Sequence, residues 1–179
     1  MKTLKTYLWA LLILPLLISC DRDVYVVRNG QKVLFQYERS DFAWGRYQVG
    51  WFIDSEGYVR AYKYPEQWKY QDQSNHISKA DMDANLLYAD SVCFKIDAQV
   101  LSKKVALIQK ASEGKLSDPI GRMADYGELT YSCFTFDTTT QKYQVVLLSE
   151  TGDFDMENTS KEAKALFEWL KEVNQQVLQ

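Results

Sequence analysis

The strongest constraint on the fold is a run of strict alternation in the first half of the chain. Tyr47, Val49, Trp51 and Ile53 alternate with Gln48, Gly50, Phe52 and Asp54, which is the two-residue period of a strand that turns one face to a core. Asp54, Ser55, Glu56 and Gly57 then supply turn chemistry, and residues 58–64 resume the β pattern, so the segment reads as a hairpin. Two further hairpins follow from the same signals. Residues 24–28 and 31–38 flank Asn29 and Gly30, the pair that best tolerates the positive φ angles of a tight turn. Residues 128–136 and 142–149, rich in Tyr, Phe, Thr and Val, flank a turn that includes Thr138, Thr139, Thr140 and Gln141.

Helical spacing takes over between and after these hairpins. Pro65 ends the fourth strand, and a polar loop leads to Ser78, whose hydroxyl with Asp81 three places on predicts a capped helix over 79–89. Asp97 caps a second helix, in which Leu101, Val105, Ile108 and Ala111 share one face and Gly114 stands where a left-handed terminating residue belongs. Ala163, Leu166, Phe167, Leu170, Val173, Asn174 and Val177 recur at helical spacing after Asn158, Thr159 and Ser160, the candidate caps. The expected architecture is α+β: an antiparallel sheet of about six strands in three hairpins, with two or three helices packed on one face. One domain over 24–179 accounts for the pattern.

Composition narrows the partners. An apolar fraction of 46% is that of a chain with a packed core. All 24 acidic residues lie after Cys20 and 19 of the 21 basic ones do, so the part beyond Cys20 carries about −5 with His76 neutral. Without a dense Lys/Arg stripe, counterion release cannot drive binding to nucleic acid, which is excluded as a partner.

The N-terminus carries an address. Lys2 and Lys5 precede an apolar run from Tyr7 to Leu17, and Leu17, Ile18, Ser19 and Cys20 follow. Thr6 to Ser19 is fourteen residues interrupted by Pro15, too few for a membrane span, which needs roughly twenty. The last four residues resemble the lipobox of bacterial lipoproteins, in which the cysteine thiol is acylated and signal peptidase II cuts before it. The resemblance implies a signal peptide over 1–19, lipidation at Cys20, a charged tether of Asp21, Arg22 and Asp23, and attachment to an envelope membrane with the leaflet left open. One acyl chain binds a membrane marginally and two or more bind it stably.

Four groups of residues are candidate sites. Cys93 and Cys133 could close a 41-residue loop as a disulfide, worth about 3 to 4 kcal/mol in the chain-entropy picture; alternatively they are two small apolar core residues. Between Tyr37 and Tyr70 eleven aromatic rings fall within 34 residues. Most such rings fill a core, but Trp44 and Trp68 lie outside the strands and are the candidates for stacking on a sugar or anchoring a protein. Asp153, Asp155 and Glu157 alternate as hard-cation ligands could, yet Asn158 holds the sixth position where an EF-hand loop needs Gly, and Lys164 the twelfth where it needs Glu. Their charge is explained as well by the positive end of the next helix. His76 is the sole histidine, with no nucleophile elbow beside it; with Cys93 and Cys133 it makes no zinc spacing. Gly121 and Gly127 stand alone, so no nucleotide loop and no cofactor is indicated.

The run Gly50-Trp-Phe-Ile-Asp-Ser-Glu-Gly57-Tyr-Val, with Gly152-Asp153, Asn158 and Trp169-Leu170, resembles uncharacterised bacterial envelope proteins, and that resemblance implies no activity. The leading expectation is a lipid-anchored, non-enzymatic module that binds an envelope protein or glycan. A membrane-tethered inhibitor or immunity protein is the alternative. A hydrolase using carboxylates alone is the third, and it needs two acids about 5 to 9 Å apart in a deep pocket.

Overall fold

The computed structural model describes residues 25–43, 45–122 and 125–179. Cys20 and Trp44 therefore lie outside the described residues, as does the whole signal segment. Nine strands form one sheet, antiparallel throughout, and two of its pairings are hairpins from the alternating segments that predicted them. These are β2 (Tyr47–Asp54) with β3 (Tyr58–Lys63), and β7 (Glu128–Asp137) with β8 (Lys142–Gly152). Between the two hairpins runs β1 (Val33–Asp41), paired with β2 on one side and β7 on the other.

The sheet is larger than the sequence suggested, and one expected strand is missing. β4 (His76–Ser78) and β9 (Phe154–Glu157) add to the free side of β8, β5 (Ser91–Lys95) extends the sheet beyond β3, and β6 (Ile120–Gly121) pairs with β9. All four are of five residues or fewer, too short to show a period. Residues 25–28 turn at Gly30, where φ is 86°, but they join no strand. Side chains do that work instead: Gln31 Nε2 donates to the Phe134 carbonyl at 3.1 Å, and the Phe136 amide donates to Tyr25 Oη at 2.9 Å. These bonds occupy the edge of β7 beyond Cys133, where its ladder with β1 ends.

The capping predictions hold. Ser78 Oγ accepts from the Asp81 amide at the start of α1 (Lys79–Leu86), Asp97 accepts from Gln99 and Val100 at α2 (Ala98–Val105), and Ser160 accepts from Ala163 at α4 (Lys161–Val177). The second helix is broken, with α3 (Ile108–Ser112) following α2 after a turn. Gly114 is not left-handed as expected. A Cβ there would stand 2.0 Å from Asn158 Oδ1, so close approach, not φ, requires the glycine.

Helices cover both faces of the sheet, not one. Trp51, Ile53, Tyr131 and Leu148 form a core with Leu101, Ile108, Leu166 and Leu170 of α2, α3 and α4. On the opposite face Phe52, Tyr62, Phe134 and Tyr143 pack with Met82 of α1 and with Trp68. Register shifts at Leu34 in β1 and Leu148 in β8 add a residue to each strand, so consecutive apolar side chains such as Leu34 and Phe35 join the first core.

Candidate functional site

The second face is apolar over only part of its area. Toward the other ends of β1 and β7, alternation brings polar side chains to it: Gln36, Glu38 and Ser40 on β1, and Glu128, Thr130 and Ser132 on β7. Register lines them up in rows, with Glu38 opposite Thr130 and Thr130 opposite Glu150 of β8, while Ser40 faces Glu128 and Gln36 faces Ser132. Glu128 is thus diagonal to both Glu38 and Glu150, which places backbones about 7 to 8 Å apart. These residues floor a trough of about 480 Å³ whose walls include Trp68, Tyr70 and Phe42. That volume suits a small organic ligand.

Glu38 is the organised member of the row. Tyr62 Oη donates to its Oε2 at 2.8 Å, Gln48 Nε2 at 3.1 Å and Gln36 Nε2 at 3.2 Å. Among the described residues no donor reaches Oε1. The approach of Tyr62 depends on Gly50, which lies between the two in the same cross-strand row. A Cβ at Gly50 would be 2.5 Å from Tyr62 Oη and 2.2 Å from the Tyr37 carbonyl, so only glycine lets the ring lie across the strand. From the rim, Tyr70 Oη donates to Gln48 Oε1 at 3.4 Å, which ties an exposed ring to the floor.

The three carboxylates are electrostatically unrelieved. Burial raises the Glu38 carboxyl above the usual range, the bonds from Tyr62 and Gln48 oppose this, and the Glu128 charge adds to it. Burial raises Glu128 too, helped by Asp153. Burial and the Glu128 charge push Glu150 up to about 7. Among the described residues none of the three has a basic partner; Lys69, exposed on the wall, is the one cation on the lining.

The sites expected from the sequence fall elsewhere or take other roles. Cys93 and Cys133 are both free: Cys93 is exposed on β5 and Cys133 is buried on β7. Four strand spacings of about 4.8 Å separate them in the sheet order, beyond the reach of a disulfide. Trp68 is half-buried, with its ring 5.7 Å from Phe52 and 4.5 Å from Tyr62; it walls the trough and does not stand free as a stacking platform. Asp153, Asp155 and Glu157 belong to the β9 strand region, not to an open loop, and are separately engaged. Asp153 accepts from the Tyr126 amide, Asp155 pairs with Arg122 at 2.5 Å and Glu157 with Lys164 at 3.3 Å. His76 sits in β4 with Nδ1 3.9 Å from Asp72. Of the dense run of rings, Trp51, Phe52 and Tyr62 are core, whereas Phe42, Tyr64 and Tyr70 are exposed and Tyr37, Tyr47, Tyr58 and Trp68 are half-buried.

Sequence reasoning missed Glu38, Glu128 and Glu150, which come from three strands and meet only through register. Their signal was an all-polar alternate face on β1 and β7, visible as meaningful only once that face is known to be covered. Comparison of the chain with protein-family models, with curated proteins and with solved structures finds no match.

Proposed function

We propose that this chain is a lipid-anchored protein of a bacterial cell envelope, held by acylated Cys20, and that it works as a binding module whose ligand occupies the trough. The observation that carries the reading is the trough itself: a concave site of ligand size with an organised carboxylate, buried hydroxyls and an aromatic rim on a rigid sheet. No helix among the described residues is long and apolar enough to cross a membrane, so attachment through Cys20 supplies the membrane contact in this reading. The ligand is an envelope glycan or a small group presented by an envelope protein.

Crosslinking in the native cell, followed by mass spectrometry, tests the module. The wild type should capture a reproducible partner that Tyr70→Ala, a change at an exposed rim ring, loses; capture unchanged by Tyr70→Ala and by Trp68→Ala counts against the trough. Palmitate should label the wild type and not Cys20→Ala.

A second reading, a carboxylate hydrolase, gains from the pairing of Glu150, raised to about 7, with Glu128 on a diagonal of the sheet. Their backbones stand about 7 to 8 Å apart, a placement from which two side chains can hold carboxyls at the roughly 6.5 to 9.5 Å separation of inverting glycosidases. Turnover of envelope glycan lost in both Glu128→Gln and Glu150→Gln would favour this reading over simple binding.

A further inference from the structure

We propose that the trough binds its ligand through a primary ammonium group, held among Glu38, Glu128 and Glu150 above Thr130 and Ser132. This rests on the reading of the trough as the ligand site and names the chemistry it selects. Three observations support it together.

The first is charge. Three carboxylates share one concave floor with no basic partner among the described residues. Glu38 and Glu150 are partly withdrawn from water while Glu128 stands exposed at the start of β7. Partial removal of carboxylates from water beside a like charge and without a counter-charge is costly, and a cationic ligand offsets that cost where a neutral or anionic one leaves or worsens it. The second is valence. Glu38 spends Oε2 on three donors and keeps Oε1 for a fourth. The third is independent of the acids: Ser132 and Ser40 are 6% and 5% exposed, line the trough, and have no side-chain hydrogen-bond partner among the described residues. Neither hydroxyl is a sealed orphan, since among the described residues only Asp83 Oδ1 is a buried side-chain polar atom without a partner. What these two otherwise buried serines leave open is the side that lines the trough, where a ligand's polar groups can reach it.

The geometry also chooses among cations. An ammonium offers three donors that diverge from one atom, and acceptors stand around Thr130 on three strands. A metal ion needs oxygens within about 2.6 Å of one point, which acids on diagonal positions of neighbouring strands do not supply; no group of three His, Cys, Asp or Glu among the described residues could hold one. A quaternary ammonium donates nothing and needs an aromatic cage, whereas Trp68 is already packed against Phe52 and Tyr62.

Two sources of ammonium share this chemistry, an amino sugar and an alkyl amine such as a lysine side chain, and paired probes separate them. Amide resonances of the full mature protein in detergent are followed at about pH 7, where glucosamine and 1,5-diaminopentane both carry ammonium groups. Glucosamine is titrated against N-acetylglucosamine, which is neutral, and 1,5-diaminopentane against 1,5-pentanediol. At least one ammonium probe should give saturating shifts at Thr130 and Ser132 while its neutral counterpart gives none, and the pair that responds names the source. Glu128→Gln and Glu150→Gln should each weaken binding about tenfold, equivalent to about 1.4 kcal/mol. Glu172→Gln, exposed on α4, should leave it unchanged. If neutral probes shift the trough as strongly, the trough remains a ligand site and the ammonium inference falls. Failure of both ammonium probes overturns the inference as well, and saturating shifts confined elsewhere overturn the trough reading with it.

Discussion

The two faces of one sheet are built by opposite rules. On the face covered by α2, α3 and α4 the buried side chains are almost all apolar, and the few polar atoms are matched, as when Trp51 Nε1 donates to Asn174 Oδ1 at 2.9 Å. On the other face, α1 and Trp68 seal one apolar part and leave beside it a floor of acids and hydroxyls. The first arrangement stabilises the fold, since burial of apolar area is its main favourable term. The second spends part of that stability on carboxylates whose charged forms burial disfavours. Groups kept in unfavourable surroundings beside a cavity are where function is to be sought.

Adjacent residues of β2 put this contrast to its hardest test. Trp51 belongs to the first core and is 1% exposed, stacked 5.7 Å from Tyr37. Trp51→Ala should cost about 3 to 5 kcal/mol in urea unfolding. Gly50, its neighbour, lies buried beneath Tyr62 on the opposite face, and Gly50→Ala must displace Tyr62 or the Tyr37 backbone, for about 2 to 3 kcal/mol. The two losses should differ in kind. Gly50→Ala should lower the Tyr62 phenol pKa, which burial and the nearby Glu38 charge now hold well above its ordinary value, and Trp51→Ala should not. Ultraviolet titration of the tyrosines reads the difference, and an unchanged Tyr62 in Gly50→Ala would break the link between that glycine and the Glu38 network.

How much of this was legible in the sequence differs between the faces for the same physical reason. Val49, Trp51 and Ile53 announced a strand because burial selects apolar residues at a fixed period, and Ser78, Asp97 and Ser160 announced helices because capping is local. The trough lacks such a signature. Glu38, Glu128 and Glu150 each look like ordinary solvated strand residues until the pairing of Glu38, Thr130 and Glu150 is known, and that pairing is a long-range property. The segment at 25–28 misled because its β-branched pattern was right while Gln31 and Tyr25 side chains took the edge that its backbone would have paired with. Cys93 and Cys133 left two readings open because distance is set by strand order, which neither residue encodes.

A smaller effect sharpens the electrostatic half of the comparison. Glu150 is raised to about 7 in the folded protein from an ordinary value of 4.5, so the folded state holds its proton more tightly than the unfolded one. Its contribution to stability is therefore present below about 4.5 and lost as pH rises to about 7. A fully shielded group would account for about 3 kcal/mol; Glu150 is still partly open to solvent, and screening reduces this to about 1 kcal/mol. Glu150→Gln should be more stable than the wild type by about that amount at pH 8 or so, with the advantage shrinking toward acid. Equal melting temperatures for the two proteins on the alkaline side would remove the strain assigned to the trough.

The smallest expected effect concerns the two thiols, which sit on strands at different depths. Cys93 lies on the outermost strand beyond β3 and is exposed, whereas Cys133 is wholly buried in the first core, where burial pushes its thiol pKa far up. Thiolate is the reactive form and needs access, so a maleimide should modify Cys93 in the native protein within minutes and Cys133 only after unfolding. Cys93→Ser should shift stability by no more than about 0.5 kcal/mol, as for other exposed positions. If the two thiols instead resist labelling together until a reductant is added, they are bonded, and β5 and β7 cannot occupy the opposite sides of β3, β2 and β1 described above. That outcome would undo the shared register of β1 and β7 on which the trough depends, so one labelling experiment bears on both faces of the sheet.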